Sequence, residues 1–361
     1  MIALGFALFL GCSSEPGNGA GGDRGGAGVR MPWTYAPLGL PPEPVDNPST
    51  PAKIELGQLL FHDPVLSGDR ATACVTCHSQ YWGMGDGLSL GIGVGGMGPS
   101  GIGRTGPTRT RRNVPSLWNV AYRTSLFWDG RAPSLEQQVT VPLIDESELG
   151  ADPESVMLEL AENATYQALF AGAFPESPRV SLENLARAMA TFVRTIVTND
   201  APYDRYARGD DKALAGAEVR GMFLFADLGC ATCHAPPMFG ADRYDAVRLG
   251  GETARPPVVS EDLGRFAVTA DDHDRFAFRV PQLRNLRETG PYFHDGRTLT
   301  MKEAVRAMVM ATSPRAGSED DLDALVEFVG KGLMDKARAP ERPLSVPSGL
   351  PVPVDGFTIR R

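Results

Sequence analysis

Cys74-Val75-Thr76-Cys77-His78 and Cys230-Ala231-Thr232-Cys233-His234 decide how this chain is read. Two thiols three residues apart, followed at once by a histidine, are the attachment signature of c-type haem. Thiols on one turn reach the two haem vinyl groups, and the histidine is set as an axial ligand of the iron. A thioredoxin-like redox pair also uses Cys-x-x-Cys. So does half of a zinc site, but paired zinc motifs lie roughly 15–20 residues apart. Here the two copies stand a whole domain apart. Each is followed by a histidine, which neither rival requires. The chain has five cysteines, and the motifs use four of them.

The 361 residues leave room for two domains. A hydrophobic content of 42% and a charged content of 22% are ordinary for a globular protein. A net charge of −9 argues against a nucleic-acid partner. The fifth cysteine, Cys12, follows the apolar run Ile2–Leu10 and precedes Ser13-Ser14. That run is too short to span a membrane and suits a signal peptide, with Cys12 as a lipidated first mature residue. A plain signal with a stray cysteine is the alternative, and no Lys or Arg precedes the run. The expected organisation is a signal and lipobox at 1–12, a flexible tether at 13–50, haem domains at 51–200 and 201–337, and a Pro-rich surface tail at 338–361. Export fits the motifs, because c-type haem is attached outside the cytoplasm.

The chain also repeats itself. Gly57-Gln-Leu-Leu-Phe61-His-Asp63 parallels Gly221-Met-Phe-Leu-Phe225-Ala-Asp227, each ahead of a haem motif. Val114-Pro-Ser-Leu117-Trp-Asn119 parallels Val280-Pro-Gln-Leu283-Arg-Asn285, and Phe127-Trp-Asp-Gly-Arg131 parallels Phe293-His-Asp-Gly-Arg297. The last two pairs share an offset of 166 residues. The expected fold is mostly α, with two tandem cytochrome-c-like haem domains. Leu182, Leu185, Met189, Phe192, Val193 and Ile196 recur at helical spacing behind Ser181 as N-cap. A second helix is expected from Ser155 to Phe170, and a third carries Met301, Ala304, Val305, Met308 and Val309. Gly83–Gly106 reads as a flexible loop near the first haem.

Register makes the two haem sites unequal. Met308 sits on a helix after the second Asp-Gly-Arg, and a thioether is a familiar axial ligand that raises haem potential. A methionine on an apolar helical stripe is more often core, however, and Met301 and Met310 share that ambiguity. The offset sets Pro142 opposite Met308 and Ile144 opposite Met310, and neither can bind iron. The five histidines are His62, His78, His234, His273 and His294, and none lies in the loop after His78. One open and one closed iron point to a catalytic haem beside an electron-transfer haem.

Leu60-Phe-His-Asp-Pro64, the two haem motifs, Arg112-Asn-Val-Pro-Ser-Leu117, Phe127-Trp-Asp-Gly-Arg-Ala132, Arg194-Thr195, Phe278-Arg-Val-Pro-Gln-Leu-Arg-Asn285 and Pro291-Tyr-Phe-His-Asp-Gly296 together resemble the bacterial di-haem cytochrome c peroxidases and their MauG-type relatives. The likeness runs from about Leu56 to Leu333. It implies a peroxidatic haem on His78 and an electron-transfer haem on His234 with Met308 as sixth ligand. It implies Trp128 between the haems, Gln138 and Glu148 as distal-pocket amide and acid, and a calcium ion at Asn113 with the backbone oxygens of Thr289 and Pro291. The substrate implied is hydrogen peroxide, and the electron donor a cytochrome c or a copper protein. Relatives often form homodimers. Taken alone, Glu148 lies in an acidic run that reads as a surface turn, Trp128 reads as core, and Arg109, Arg111 and Arg112 either meet haem propionates or face water. His62 and His273 read as ordinary surface or satisfied histidines. Two departures stand out. Peroxidases that need reductive activation carry a distal histidine in the loop after the first motif, and this loop has none. MauG-type enzymes have tyrosine where Met308 stands. A MauG-type protein oxidase and a non-catalytic di-haem carrier are the competing functions.

Overall fold

The computed structural model describes residues 33, 36–247, 262–313, 317–336 and 339–355. Cys12 and its apolar run lie outside the described residues. Helices dominate: α1 (Pro51–His62), α2 (Cys74–Cys77), α3 (Leu135–Gln138), α4 (Val141–Ile144), α5 (Pro153–Glu162), α6 (Ala164–Ala173), α7 (Leu182–Val193), α8 (Pro202–Ala207), α9 (Gly216–Asp227), α10 (Phe266–Thr269), α11 (Met301–Thr312) and α12 (Glu319–Glu327). The named strands among the described residues are two short ones, β1 (Tyr244–Asp245) and β2 (Phe278–Arg279), paired antiparallel with Tyr244 opposite Arg279.

Local chemistry sets the helix ends. Thr50 caps α1 by accepting from Lys53 N, with Pro51 in the first turn, where its missing N–H costs nothing. Ser181 caps α7 through Asn184 N at 3.2 Å, as its sequence position predicts. Thr300 and Glu303 form a reciprocal capping box at the start of α11. The single helix expected over 155–170 is instead two. Asn163 ends α5, and its side chain accepts from Thr165 N and Tyr166 N to start α6. An asparagine that competes with the ladder and caps a new turn outweighs the continuous apolar period.

The duplication seen in the sequence is written into the backbone. Asn119 and Asn285 both hold positive φ (57° each), as do Phe127 and Phe293 (68° and 70°) and Gly130 and Gly296 (72° and 60°). The bridges Leu126↔Ala132 and Tyr292↔Thr298 repeat the same hairpin-like loop. Asn119 N donates to Ile196 O at 3.0 Å, and Asn285 N donates to Leu333 O at 3.1 Å. Each half also crosses two helices at a glycine. A Cβ on Gly57 of α1 would fall 2.1 Å from Ala188 O of α7, and one on Gly221 of α9 would fall 1.9 Å from Ala324 O of α12. Phe192 and Phe328 pack beside these crossings, and both are fully buried. Burying such a ring contributes roughly 1.5–3 kcal/mol relative to exposure.

Two stretches expected to be loose are held. Leu38 and Asn47, inside the expected tether, are buried; Leu38 N donates to Asp204 Oδ1 and Asn47 Nδ2 donates to Arg187 O. In the Gly-rich loop, buried Arg104 donates to Ile92 O at 2.7 Å, Gly93 O at 3.0 Å and Thr72 Oγ1 at 3.1 Å. The Pro-rich tail is also more than a surface trace. Ser348 Oγ donates to Asp63 Oδ1 at 2.6 Å, Asn163 Nδ2 donates to Pro347 O at 2.9 Å, and Val346 and Val352 are buried.

Candidate functional site

Each haem motif folds as one turn. In the first, His78 N donates to Cys74 O at 3.0 Å; in the second, His234 N donates to Cys230 O at 2.9 Å. Both cysteine pairs and their histidines line a cavity, of about 360 Å³ for His78 and about 570 Å³ for His234. His78 Nδ1 donates to Met84 O at 2.9 Å, and His234 Nδ1 donates to Pro281 O at 3.0 Å. A backbone carbonyl on Nδ1 fixes the tautomer and leaves Nε2 as the free lone pair, the arrangement an axial ligand needs. Burial pushes His78 down to about 4 and lowers His234 as well, so both imidazoles are neutral donors at working pH.

The four thiols are unpaired. Burial raises Cys74 to about 12 and Cys230 to about 11. A redox pair works through a depressed thiol pKa, so this environment is the reverse of a thioredoxin-like one. Among the described residues no group of three His, Cys, Asp or Glu side chains is arranged to hold a metal ion. Neutral thiols on one turn, a neutral imidazole with a free Nε2 and an apolar cavity fit a haem in each half.

The two cavities are lined differently. Gln138 (α3), Pro142 (α4), Asp145, Ser147 and Glu148 line the first. Met189 also lines it, but this residue packs in the apolar core with Leu56, Leu60 and Leu185. One face of α11 lines the second cavity through Ala304, Val305, Met308, Val309 and Thr312. Met310 is exposed and Met301 abuts Gly330, so of the three methionines it is Met308 that lines this cavity. Glu148 is half-buried and is pushed up to about 7, first by burial and then by the charge of Asp145. Its carbonyl oxygen accepts from Val94 N at 2.7 Å, which ties the acid's segment to the Gly-rich loop.

Trp128 and Asn113 line both cavities, and Trp128 Nε1 donates to Asn113 O at 2.9 Å. The indole therefore stands in the shared wall. Asn113, Thr289 and Pro291 all line the second cavity, and Asn113 Nδ2 donates to Leu88 O at 2.8 Å. His294 stacks on Phe278 with centroids 3.6 Å apart and meets Trp128 edge-on. His62 is buried with Nδ1 on Gln58 O, a satisfied core histidine, and His273 is exposed.

Arg112 pairs with Asp262 and Asp129 at 2.6 Å each, so its charge is already matched within the fold. The sequence reading missed Arg123 and Arg279. Arg123 lines the second cavity and Arg279 lines both. The available signal for Arg279 was the repeat itself: the Val-Pro of each half follows Asn113 in the first and Arg279 in the second, so the register carries a charge into the second half alone.

The family model for di-haem cytochrome c peroxidases matches residues 51–212. Cytochrome c551 peroxidase of Pseudomonas aeruginosa is 35% identical over 299 residues, covering 82% of this chain and 83% of that protein. Methylamine utilization protein MauG of Methylorubrum extorquens is 38% identical, covering 71% of this chain and 68% of its own. A crystal structure of a MauG-like protein associated with microbial copper homeostasis superposes with a TM-score of 0.70 at 27% identity, covering 83% of this chain and 94% of that one. On fold, paired haem motifs and these likenesses, the chain belongs to the di-haem cytochrome c peroxidase family.

Proposed function

We propose that this protein reduces hydrogen peroxide to water with electrons from a small redox protein such as a cytochrome c. The observation that carries the reading is the unequal furnishing of two otherwise matched cavities. Opposite Met308 in the second stands Pro142 in the first, with Gln138 and Glu148 alongside. A haem held by His78 would supply the iron at which the O–O bond breaks. Glu148 accepts the proton of the near peroxide oxygen and returns it to the far one, so that the leaving oxygen departs as water. A carboxyl near pH 7 is matched to both halves of that transfer. Gln138 orients peroxide by hydrogen bonding, and Trp128, in the wall shared by the two cavities, would lie between the two haems. Two electrons and two protons per peroxide then close the balance at two waters.

Stopped-flow addition of peroxide, with and without reduced cytochrome c, tests the reading. Fast donor oxidation is expected. A long-lived oxidised di-haem state without donor oxidation is the MauG-type outcome, which Met308 at the second cavity disfavours. A non-catalytic carrier leaves Glu148 and Pro142 at the first cavity without a use.

Several narrower assignments belong to the same reading. Cys74 and Cys77, and Cys230 and Cys233, form thioethers, which a haem band surviving denaturing electrophoresis checks. The halves 51–200 and 201–337 are tandem cytochrome-c-like units, supported by the repeated glycine crossings. Asn113 with the carbonyls of Thr289 and Pro291 holds calcium, and metal analysis before and after chelation checks it. The protein works outside the cytoplasm on a lipid anchor at Cys12; no helix among the described residues is long and apolar enough to cross a membrane. Detergent partitioning of a Cys12→Ser variant tests the anchor.

A further inference from the structure

Arg279 is 9% exposed, and its Nε donates to Phe127 O at 3.2 Å. No ion pair joins it to any carboxylate among the described residues. Arg123 lies close enough for its charge to act on Arg279, and its side chain is 4% exposed. Arg123 Nη2 is buried without a hydrogen-bond partner. The carboxylate serving both is Asp242, at 3.4 Å from Arg123 Nη1. Asp242 is also bound by Thr124 N and Oγ1, each at 2.8 Å. Two buried guanidiniums thus share one committed carboxylate, leaving a net positive charge inside the fold. Burying an unpaired ion costs several kcal/mol even after relaxation, so a second anion is called for. Burial, and then the charge of Arg123, lowers Arg279 to about 10, which marks the same deficit.

The two arginines do not face bulk solvent. Arg279 lines both cavities, and Arg123 lines the second. A haem brings two carboxylates of its own. Arginine's planar fork suits bidentate carboxylate recognition. We propose that Arg279 and Arg123 are the seat of the haem propionates, Arg279 serving both haems and Arg123 the second alone. This rests on the reading that each cavity holds a haem. Of the three arginines that the sequence offered, Arg112 lines the first cavity but is already paired with Asp129 and Asp262, and Arg109 and Arg111 are exposed. The seat has a consequence beyond anchorage. A positive charge at a propionate disfavours the oxidised iron and raises the potential, so one residue in the shared wall sets the potentials of both haems together.

The test uses the haem-loaded full chain, with reduction potentials by spectroelectrochemistry and propionate bending bands by resonance Raman. Arg279→Gln is expected to lower both potentials and shift the propionate bands of both haems. Arg123→Gln is expected to lower the second potential and leave the first in place. Potentials that move without any change in the propionate bands overturn the inference, because a distant charge suffices for that. Unmoved potentials overturn it equally. Should Arg279→Gln load haem poorly, Arg279→Lys is measured instead. It keeps the charge but loses the fork, so both potentials stay near wild type while the propionate bands shift; unshifted bands overturn the seat. A haem count on the wild-type chain separates the two levels. A count below two removes the haem reading and this inference with it, whereas a count of two with unmoved bands removes this inference alone.

Discussion

Gly93 runs so close to Glu148 that a Cβ at position 93 would lie 2.2 Å from the Glu148 carbonyl oxygen. The adjacent Val94 N–H donates to that oxygen at 2.7 Å. The loop following the first haem motif therefore acts as a backrest for the acid's segment. Gly93→Ala forces that segment to move. A displacement of about 1 Å at a reacting group costs about 10²-fold. Peroxide turnover is expected to fall by that order at unchanged haem content, and steady-state kinetics beside the haemochrome spectrum check it.

Glu148→Gln removes the proton carrier and keeps the shape. Turnover is expected to fall by about 10²–10⁴-fold, the usual worth of a positioned acid–base group. In the wild type the group is neutral below about pH 7 and a carboxylate above. Accepting peroxide's proton needs the carboxylate, so the rate of peroxide consumption rises as pH rises through about 7. The Gln variant loses that limb. Since its folded pKa lies above the ordinary carboxyl value, the group favours folding most at low pH, and that contribution fades as pH rises through about 7.

With Met308 as the proposed sixth ligand, Met308→Ala would open that position of the second haem. The potential of the second haem is expected to drop, because the thioether raises it. The first haem's spectrum stays as it was. Electron paramagnetic resonance of the oxidised wild type is expected to show one high-spin and one low-spin haem. Two low-spin signals are the result that removes the open first site.

Arg284 and Asp204 form a bidentate pair at 2.7 Å with no solvent exposure on either side chain. Asp204 also accepts from Leu38 N and Ala201 N. Arg284→Leu strands a buried carboxylate. Breaking such a pair costs roughly 3–5 kcal/mol. The denaturation midpoint of the haem-loaded variant in guanidinium is expected to fall accordingly, with no shift in haem potential.

What could be read from the chain beforehand was what covalent chemistry or register enforces. Thioether attachment demands Cys-x-x-Cys-His on one turn, so both sites were visible. The repeat carried Pro142 onto Met308 because both halves keep the same positive-φ positions, Asn119 with Asn285 and Phe127 with Phe293. Pairings across the fold were not legible. Arg112 and Arg279 look alike in the sequence and both line the first cavity, yet one is paired with Asp262, 150 positions away, and the other has no ion pair among the described residues. The break at Asn163 was hidden because the apolar period runs straight through it. Leu38 and Val346 sit in Pro-rich stretches whose composition says loop, while their burial depends on partners far along the chain.

The tail crossing also sets an order of events. Asp63, at the end of α1, is bound by Ser348, 285 positions later. Val346 and Val352 are buried, and Leu350 packs on the apolar core of the first half. Closing so long a loop is an entropic cost met only late in folding. The first half thus stays unsealed until nearly the whole chain has emerged. The tail then fastens that half, with Cys74 and Cys77 already inside it, like a clasp.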